Sequence, residues 1–472
     1  KIIDYRSFEG SGIKEVIIPE GVETIGNSAF VRCDNLVDII FPKSLKIISS
    51  NSFPFTGLTE VYIPNANCEI QDGAFDPSVK VIQAKNPGEL VWKADVGNLG
   101  SSTPSADLMG NLYVVSSTGA LLSINGLDGE VNWSFKPDAK ENKLYDAGYV
   151  PIDHDGTIFF PYCRGITYAI DARTGKKKWE VSIGSQFLVL GYNNELFAVS
   201  ANSLFKFNKD NGEKIWEYRA NAEFKSPSID SYGNVVVSNK DKKIYSINSS
   251  SGKPNWVFDT GVNPGTAEIS IDTSGNLFVG GPDPYKFYSI DASTGQKLWE
   301  SKFGEIDQSG SIDNLGNLFL GNNNAKIFSI NTQDGEINWE FNAGAEVHGT
   351  PVIGNNGKIY VGSRDNKTFH AIDSKTGKIE WKFNTGGAIA ESSPLIDNKG
   401  KVYFTAEDGF LYCIQTSSTG PADSPWPMFG QNAQRTGRAY DSDNDSLPDY
   451  KERQLGTNPD SNDSDSDGVL DN

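Results

Sequence analysis

Eight tryptophans constrain this chain more than any other feature. Trp92, Trp133, Trp179, Trp216, Trp256, Trp299, Trp339 and Trp381 recur at intervals of 41, 46, 37, 40, 43, 40 and 42 residues. Each has a glycine four positions earlier: Gly88, Gly129, Gly175, Gly212, Gly252, Gly295, Gly335 and Gly377. Between them runs a second pattern, seen as "SPSIDSYGNVVVSNKDKKIYSINSSSGKPNW" over 226–256. It reads as four short strands joined by Asp/Asn/Gly turns, where Gly and Asn supply positive-φ positions. A four-stranded unit of this length, repeated eight times, is an eight-bladed β-propeller. After "FLYCI" at 410–414 no further Gly-x-x-x-Trp follows, and Trp426 is flanked by Pro425 and Pro427, which do not suit a central strand. Residues 88–96 are therefore expected to give the last blade its outer strand, and "SPWPMFGQNAQRTG" to cover a blade edge or a face. The third unit, 180–216, is the shortest and lacks the SP-x-ID wording, so a distorted blade is expected there.

A shorter repeat precedes the propeller. Phe8, Phe30, Phe53 and Phe75 recur every 22 to 23 residues, with Pro19, Pro42 and Pro64 closing short apolar strands such as Val16-Ile17-Ile18. A unit this small holds one strand and one turn and must stack on its neighbours to bury its apolar face, which makes a solenoid. The wording "IPEGVETIGNSAFVRCDNL" resembles the BspA-type leucine-rich repeat of bacterial surface proteins. Residue 1 falls inside a repeat, so either upstream repeats or a degenerate N-terminal cap is expected.

The last 32 residues, 441–472, hold ten acids and two bases, a net charge of 2 − 10 = −8 within a total of −19. In "DSDNDSLPDYKE", Asp441, Asp443, Asp445, Asp449 and Glu452 occupy positions 1, 3, 5, 9 and 12 of a calcium loop, with the Leu447 carbonyl at position 7. Alternate spacing lets the carboxylates converge on one hard cation. Ser446 stands where that loop has glycine. A second copy places Asp463, Asp465, Asp467, the Val469 carbonyl and Asp471 likewise. The segment resembles thrombospondin type 3 repeats; the competing reading is a solvated acidic tail. Calcium is the cofactor expected here, and weak-binding repeats of this kind imply an extracellular setting.

The fold expectation is mainly β: a short leucine-rich-repeat solenoid over 1–85, an eight-bladed propeller over 86–439 and calcium-binding acidic repeats over 440–472. The acidic balance disfavours nucleic acid or an anionic membrane surface as partner. Three histidines and four scattered cysteines, Cys33, Cys68, Cys163 and Cys413, supply neither a transition-metal motif nor a redox pair. No apolar run is long enough for a membrane span. The segments "RTGKKK" (173–178) and "KTGK" (375–378) lack the first P-loop glycine and repeat as hairpin turns. The "IDxxGN" aspartates Asp230, Asp272 and Asp313 read as turn formers, and Phe55 and Tyr62 as exposed solenoid aromatics open to a partner.

The "W-x-F-x-x-G…SP-x-ID-x-x-GN-x-YV" wording resembles the quinoprotein (PQQ-like) propeller, the family of quinone-dependent alcohol dehydrogenases and of an outer-membrane assembly lipoprotein. The resemblance implies a ligand position over the central funnel. Residues just before the innermost strands, Tyr149, Lys225, Asp307, Gln308, His348 and Glu391, form the candidate funnel set, with His348 and Glu391 from consecutive units. Against catalysis stand the absence of the adjacent cysteines found in many such dehydrogenases and of large insertions. The function expected first is a non-enzymatic secreted or cell-surface scaffold. Its partner would be a protein or a surface polysaccharide, and self-assembly into a surface array is compatible with it. The alternatives are an extracytoplasmic quinoprotein-type dehydrogenase and a periplasmic outer-membrane assembly factor.

Overall fold

In the computed structural model the glycines of seven Gly-x-x-x-Trp pairs, from Gly129 to Gly377, each lie under the tryptophan of the preceding blade. A Cβ on Gly175, Gly212 or Gly377 would stand within 2.8 Å of the Trp133, Trp179 or Trp339 ring, and these glycines have φ between +66° and +73°. Only glycine supplies both that backbone and that clearance. The indole N–H then reaches the following blade: Trp133 donates to Ala172 O at 2.9 Å and Trp339 to Ser374 O at 2.8 Å. The period is thus a contact between neighbours. The structure describes residues 1–97, 102–137, 148–162, 165–183, 187–192, 195–261, 268–280, 286–306 and 308–439, with Glu452, Leu455, Thr457, Asn458 and Ser461.

The chain divides into two units, Lys1–Val91 and Trp92–Asn472. In the first, parallel strands Glu15–Ile17 and Asp38–Ile40 form one pair and Glu60–Ile63 and Lys80–Gln83 another. A second ladder joins Ile2–Ile3, Thr24–Ile25, Ile47–Ile48 and Glu69–Ile70. The four phenylalanines of the repeat stack with centroids 4.9, 5.0 and 4.9 Å apart and planes within 9°. Phe30 and Phe53 are fully buried, and Cys33 and Cys68 pack beside them as small hydrophobes. Phe53→Ala removes a ring stacked on both sides and is expected to cost about 3–5 kcal/mol, read as an earlier solenoid transition in urea.

The second unit has eight sheets: blade 1 (105–135), blade 2 (157–181), blade 3 (187–219), blade 4 (224–259), blade 5 (270–302), blade 6 (311–342), blade 7 (352–384) and blade 8 (395–415). Leu90–Asp95 is the fourth strand of blade 8, as the missing last Gly-x-x-x-Trp implied. Hydroxyls near the inner strands tie blade 8 to blade 1, with Thr405 Oγ1 donating to Ser102 O at 2.6 Å and the Ser393 N–H donating to Thr103 Oγ1 at 3.2 Å. Between blades 7 and 8 the repeat shows its end: the buried Trp381 Nε1 has no hydrogen-bond partner.

One expectation is corrected. Blade 3, the shortest unit, is a complete four-stranded sheet. It saves length in a two-residue hairpin, Ser200 opposite Ser203, that holds Ala201 at φ 49°. The irregular blade is blade 2, a three-stranded sheet whose innermost segment contributes one bridge, Ile152 to Ile158.

Candidate functional site

The first strands of blades 1, 4, 5, 6, 7 and 8 each run into a tight turn. Where the turn begins with aspartate, that side chain is used up locally: Asp230 Oδ1 accepts the Tyr232 and Asn234 N–H groups at 2.9 and 2.8 Å, and Asp313 Oδ1 those of Leu315 and Asn317 at 3.0 and 2.8 Å. These are turn formers, as the sequence indicated. The residue just before each turn has its N–H aimed away from its own sheet. Six such groups meet one segment of the chain. Ile312 donates to Trp426 O at 2.7 Å, Ile353 to Pro427 O at 2.8 Å and Ala106 to Ala433 O at 2.8 Å. Ile152 donates to Gln434 O at 2.9 Å, Leu190 to Thr436 O at 3.0 Å and Ile229 to Gly437 O at 2.8 Å. Residues 420–439 therefore lie across the inner strand ends of blades 1, 2, 3, 4, 6 and 7. The segment expected to cover an edge or a face seals the turn side of the central channel.

Arg435 anchors the seal. It is fully buried. Its Nε donates to Pro104 O at 3.0 Å, Nη2 to Ser393 O and Pro394 O at 3.1 Å each, and Nη1 to Phe429 O. The planar guanidinium thus satisfies four carbonyls from blade 1, blade 8 and the segment itself, a task its rigid fork suits. Phe429 stacks edge-on against Tyr149, centroids 5.0 Å apart, and the Tyr149 hydroxyl donates to Leu188 O at 3.0 Å. Gly430 N–H donates to Glu268 Oε2 at 2.7 Å, while Glu268 Oε1 is buried without a hydrogen bond. A side chain at Gly437, φ 69°, would strike Val189 at 2.7 Å.

Burial pushes the Glu268 carboxyl up to about 8, against the Gly430 N–H and the Arg435 charge, which pull it down. Burial likewise pulls the Arg435 guanidinium down to about 9, with Glu268 opposing, so it stays charged at neutral pH. Between pH 4.5 and 8 the folded protein keeps a Glu268 proton that the unfolded chain has released. Its contribution is therefore complete below about 4.5 and lost as pH rises through about 8, with a slope of at most about 1.4 kcal/mol per pH unit. Glu268→Gln is expected to flatten that slope in thermal melts between pH 5 and 8.

Among the described funnel candidates Gln308, His348 and Glu391 lie before the first strands and Lys225 at the start of one, Phe224–Ile229, at the other end of the channel. Lys225 pairs with Glu223 at 2.8 Å, which also takes Lys240 at 2.6 Å. His348 Nε2 lies 3.1 Å from Glu346 Oε2, which Arg364 approaches at 3.5 Å. Gln308 is half-buried and Glu391 exposed. Tyr149 is drawn into the core by Phe429 and Leu188 and leaves the funnel set. Lys225 and His348 instead have separate acids two residues earlier on their own loops. Asp307 lies outside the described residues, as do Asp441, Asp443, Asp445, Leu447, Asp449, Asp463, Asp465, Asp467, Val469 and Asp471 of the calcium loops. Glu452 is described and buried. Arg435 was missed because it lies in chain that occurs once, the proline-flanked segment left over after the last repeat; Glu268 stands at a repeated position where other blades have Thr103, Ser226, Ser309, Thr350 and Ser393, and that departure was its signal.

Residues 1–89 match the family of BspA type leucine-rich repeat regions, in six copies. Residues 77–189, 188–318 and 286–422 match the family described as outer membrane protein assembly factor BamB. An uncharacterized protein of Rickettsia conorii is 25% identical over 227 residues, 44% of this chain and 54% of that protein, so the chain spans about half the length of that relative. BamB of Shewanella oneidensis is 23% identical over 306 residues, 58% of this chain and 76% of that one. The tetrathionate hydrolase of Acidithiobacillus ferrooxidans is 25% identical over 207 residues, 42% of this chain and 38% of the hydrolase. Among solved structures, BamB from Moraxella catarrhalis superposes with a TM-score of 0.55 at 18% identity, covering 69% of this chain and 99% of that one, a likeness of fold. With the propeller match running from 77 to 422, well over half its length, the chain belongs to the outer membrane protein assembly factor BamB family.

Proposed function

We propose that this protein is a non-enzymatic extracytoplasmic scaffold whose propeller holds protein partners in outer-membrane assembly, as the name of its relatives suggests. The observation that carries this reading is the sealed channel. The turn end of the channel, opposite the funnel, is filled by Arg435, Phe429 and the main chain of 420–439. What the ring offers instead is the turn-rich faces of a rigid support. Cross-linking in intact cells followed by envelope fractionation tests this: the protein is expected in the envelope, joined to a partner protein. Recovery only in the medium or cytosol, without a cross-linked partner, would count against it.

A second reading, surface adhesion, draws support from the solenoid, where Ile17, Ile40 and Tyr62 are 74%, 55% and 57% exposed on successive outer strands. A protein or surface polysaccharide would be the partner there. The calcium loops of 440–472 belong with this reading, as a stiffening stalk. Terbium luminescence on the whole chain is expected to show about two sites that calcium displaces at roughly 0.1–1 mM. Asp445→Ala should lose one of them; unchanged luminescence in that variant would return the tail to a plain acidic segment.

A further inference from the structure

The solenoid turns one face of its parallel strands to solvent, and the pairing orders that face into two rows. Glu15–Ile17 pairs with Asp38–Ile40 so that Glu15 stands opposite Asp38 and Ile17 opposite Ile40. Glu60–Ile63 pairs with Lys80–Gln83 so that Glu60 stands opposite Lys80 and Tyr62 opposite Ile82. Strand alternation sends these eight side chains outward, while Ile39, Val61 and Ile63 enter the core. One row is apolar: the exposed Ile17, Ile40 and Tyr62, closed by the half-buried Ile82. The other is charged. A single exposed isoleucine is ordinary; a line of apolar side chains across successive repeats marks a surface that something covers.

The charged row gives the sign of that cover. Lys80 Nζ lies 3.0 Å from Glu60 Oε2, so these two answer each other. Glu15 and Asp38 face each other in register, and like charges directly opposite destabilise a strand pair. Among the described residues the ion pairs of the solenoid are Arg6–Glu9, Lys46–Glu23 and Lys80–Glu60, and neither Glu15 nor Asp38 belongs to one. Lys14, just outside the first strand, has the opposite parity. The four strands thus hold three acids and one base, and residues 1–85 together 11 acids and 8 bases. A cationic group over the first two rungs would relieve the repulsion; an anionic one would add to it.

Spacing gives its shape. Successive repeats lie 4.9 to 5.0 Å apart, the separation of the stacked phenylalanine rings. An α-helix laid across the strands brings a side chain to the row once per turn, about every 5.4 Å, and drifts by only about 1.5 Å over the three steps. An extended strand in the same place presents one every second residue, about 6.6 Å apart, and is out of step by roughly 5 Å. Isoleucine offers a sugar neither a stacking ring nor a hydrogen bond. We propose that this face binds an amphipathic helix of a partner protein, its apolar stripe along Ile17, Ile40, Tyr62 and Ile82 and its lysines or arginines over Glu15 and Asp38. This rests on the surface-adhesion reading of the solenoid and names the chemistry of its partner.

The test titrates the full chain into a fluorescein-labelled synthetic helix of about four turns, with leucines on one stripe and lysines along its flank, and reads fluorescence polarization. A twin carries glutamates in place of the lysines. The lysine helix is expected to bind about tenfold or more tighter than the twin, and less tightly as salt rises. The triple variant Ile17→Thr, Ile40→Thr, Tyr62→Thr keeps β propensity and should bind it about tenfold or more weakly. Glu15→Lys with Asp38→Lys should turn the preference toward the glutamate twin, and Ile337→Thr, an exposed position on an outer propeller strand, should change nothing. All these side chains face solvent, so melting should be unaltered. No binding of the lysine helix, equal binding of the twins, or binding that the triple variant keeps, as attraction to an acidic chain at large would give, overturns the proposal. So does a dimer that the triple variant loses. An array of surface polysaccharides separates the two levels: one held by the wild type and lost in the triple variant removes the helix and leaves the adhesion reading standing.

Discussion

Arg435→Met is expected to destabilise the propeller by about 3–5 kcal/mol. The methionine fills similar space but donates nothing. Pro104 O, Ser393 O, Pro394 O and Phe429 O would each lose a charge-assisted hydrogen bond in a site closed to water, and an unsatisfied buried acceptor costs about 1–3 kcal/mol. Arg435→Lys should fall between the two, since an ammonium keeps the charge but has three donors in place of a planar fork. Urea denaturation followed by tryptophan fluorescence reads the effect. A shift under about 1 kcal/mol would mean that the seal contributes little to the ring.

Removal of residues 1–96 is expected to cost more still, about 5 kcal/mol or the whole stability of an ordinary domain. It takes away Leu90–Asp95, the outer strand of blade 8. It also removes Trp92, whose indole donates to Gly126 O at 3.2 Å in blade 1. Blade 8 would be left with three strands and a new open edge, a template for association. A chain beginning at residue 86 loses the solenoid but keeps the strand, and should melt cooperatively as the intact propeller does. If both truncations behaved alike in circular dichroism melts, closure by this strand would not matter to the fold.

Repetition explains how much of this was legible in advance. The blade count, the closing strand and the phenylalanine stack all follow from periods, and a period survives because each unit touches its neighbour through the same residues, as Gly175 does with Trp133. What a period cannot show is chain that occurs once. Residues 424–437 were legible as a cover for a blade edge or a face but not as a channel seal, because their carbonyls, rather than their side chains, do most of the binding. Nothing in the sequence marks Arg435 as the residue that the fold surrounds with carbonyl oxygens. Unit length misled at blade 3, since a tight hairpin can shorten a unit without removing a strand. The funnel set was chosen by position alone, and position does not reveal that Glu223 and Glu346 pair with Lys225 and His348.

The central claim is that the chain seals its own channel, leaving its outer surfaces for partners. Hydrogen–deuterium exchange tests it at the amides of Ala106, Ile152, Leu190, Ile229, Ile312 and Ile353, whose N–H groups bond the sealing segment. The account predicts that these six exchange with the slowest class, by global unfolding of the propeller, and that added pyrroloquinoline quinone and calcium leave their rates unchanged. Exchange within minutes, or protection that appears only when the quinone binds, would show an open channel and restore the dehydrogenase reading.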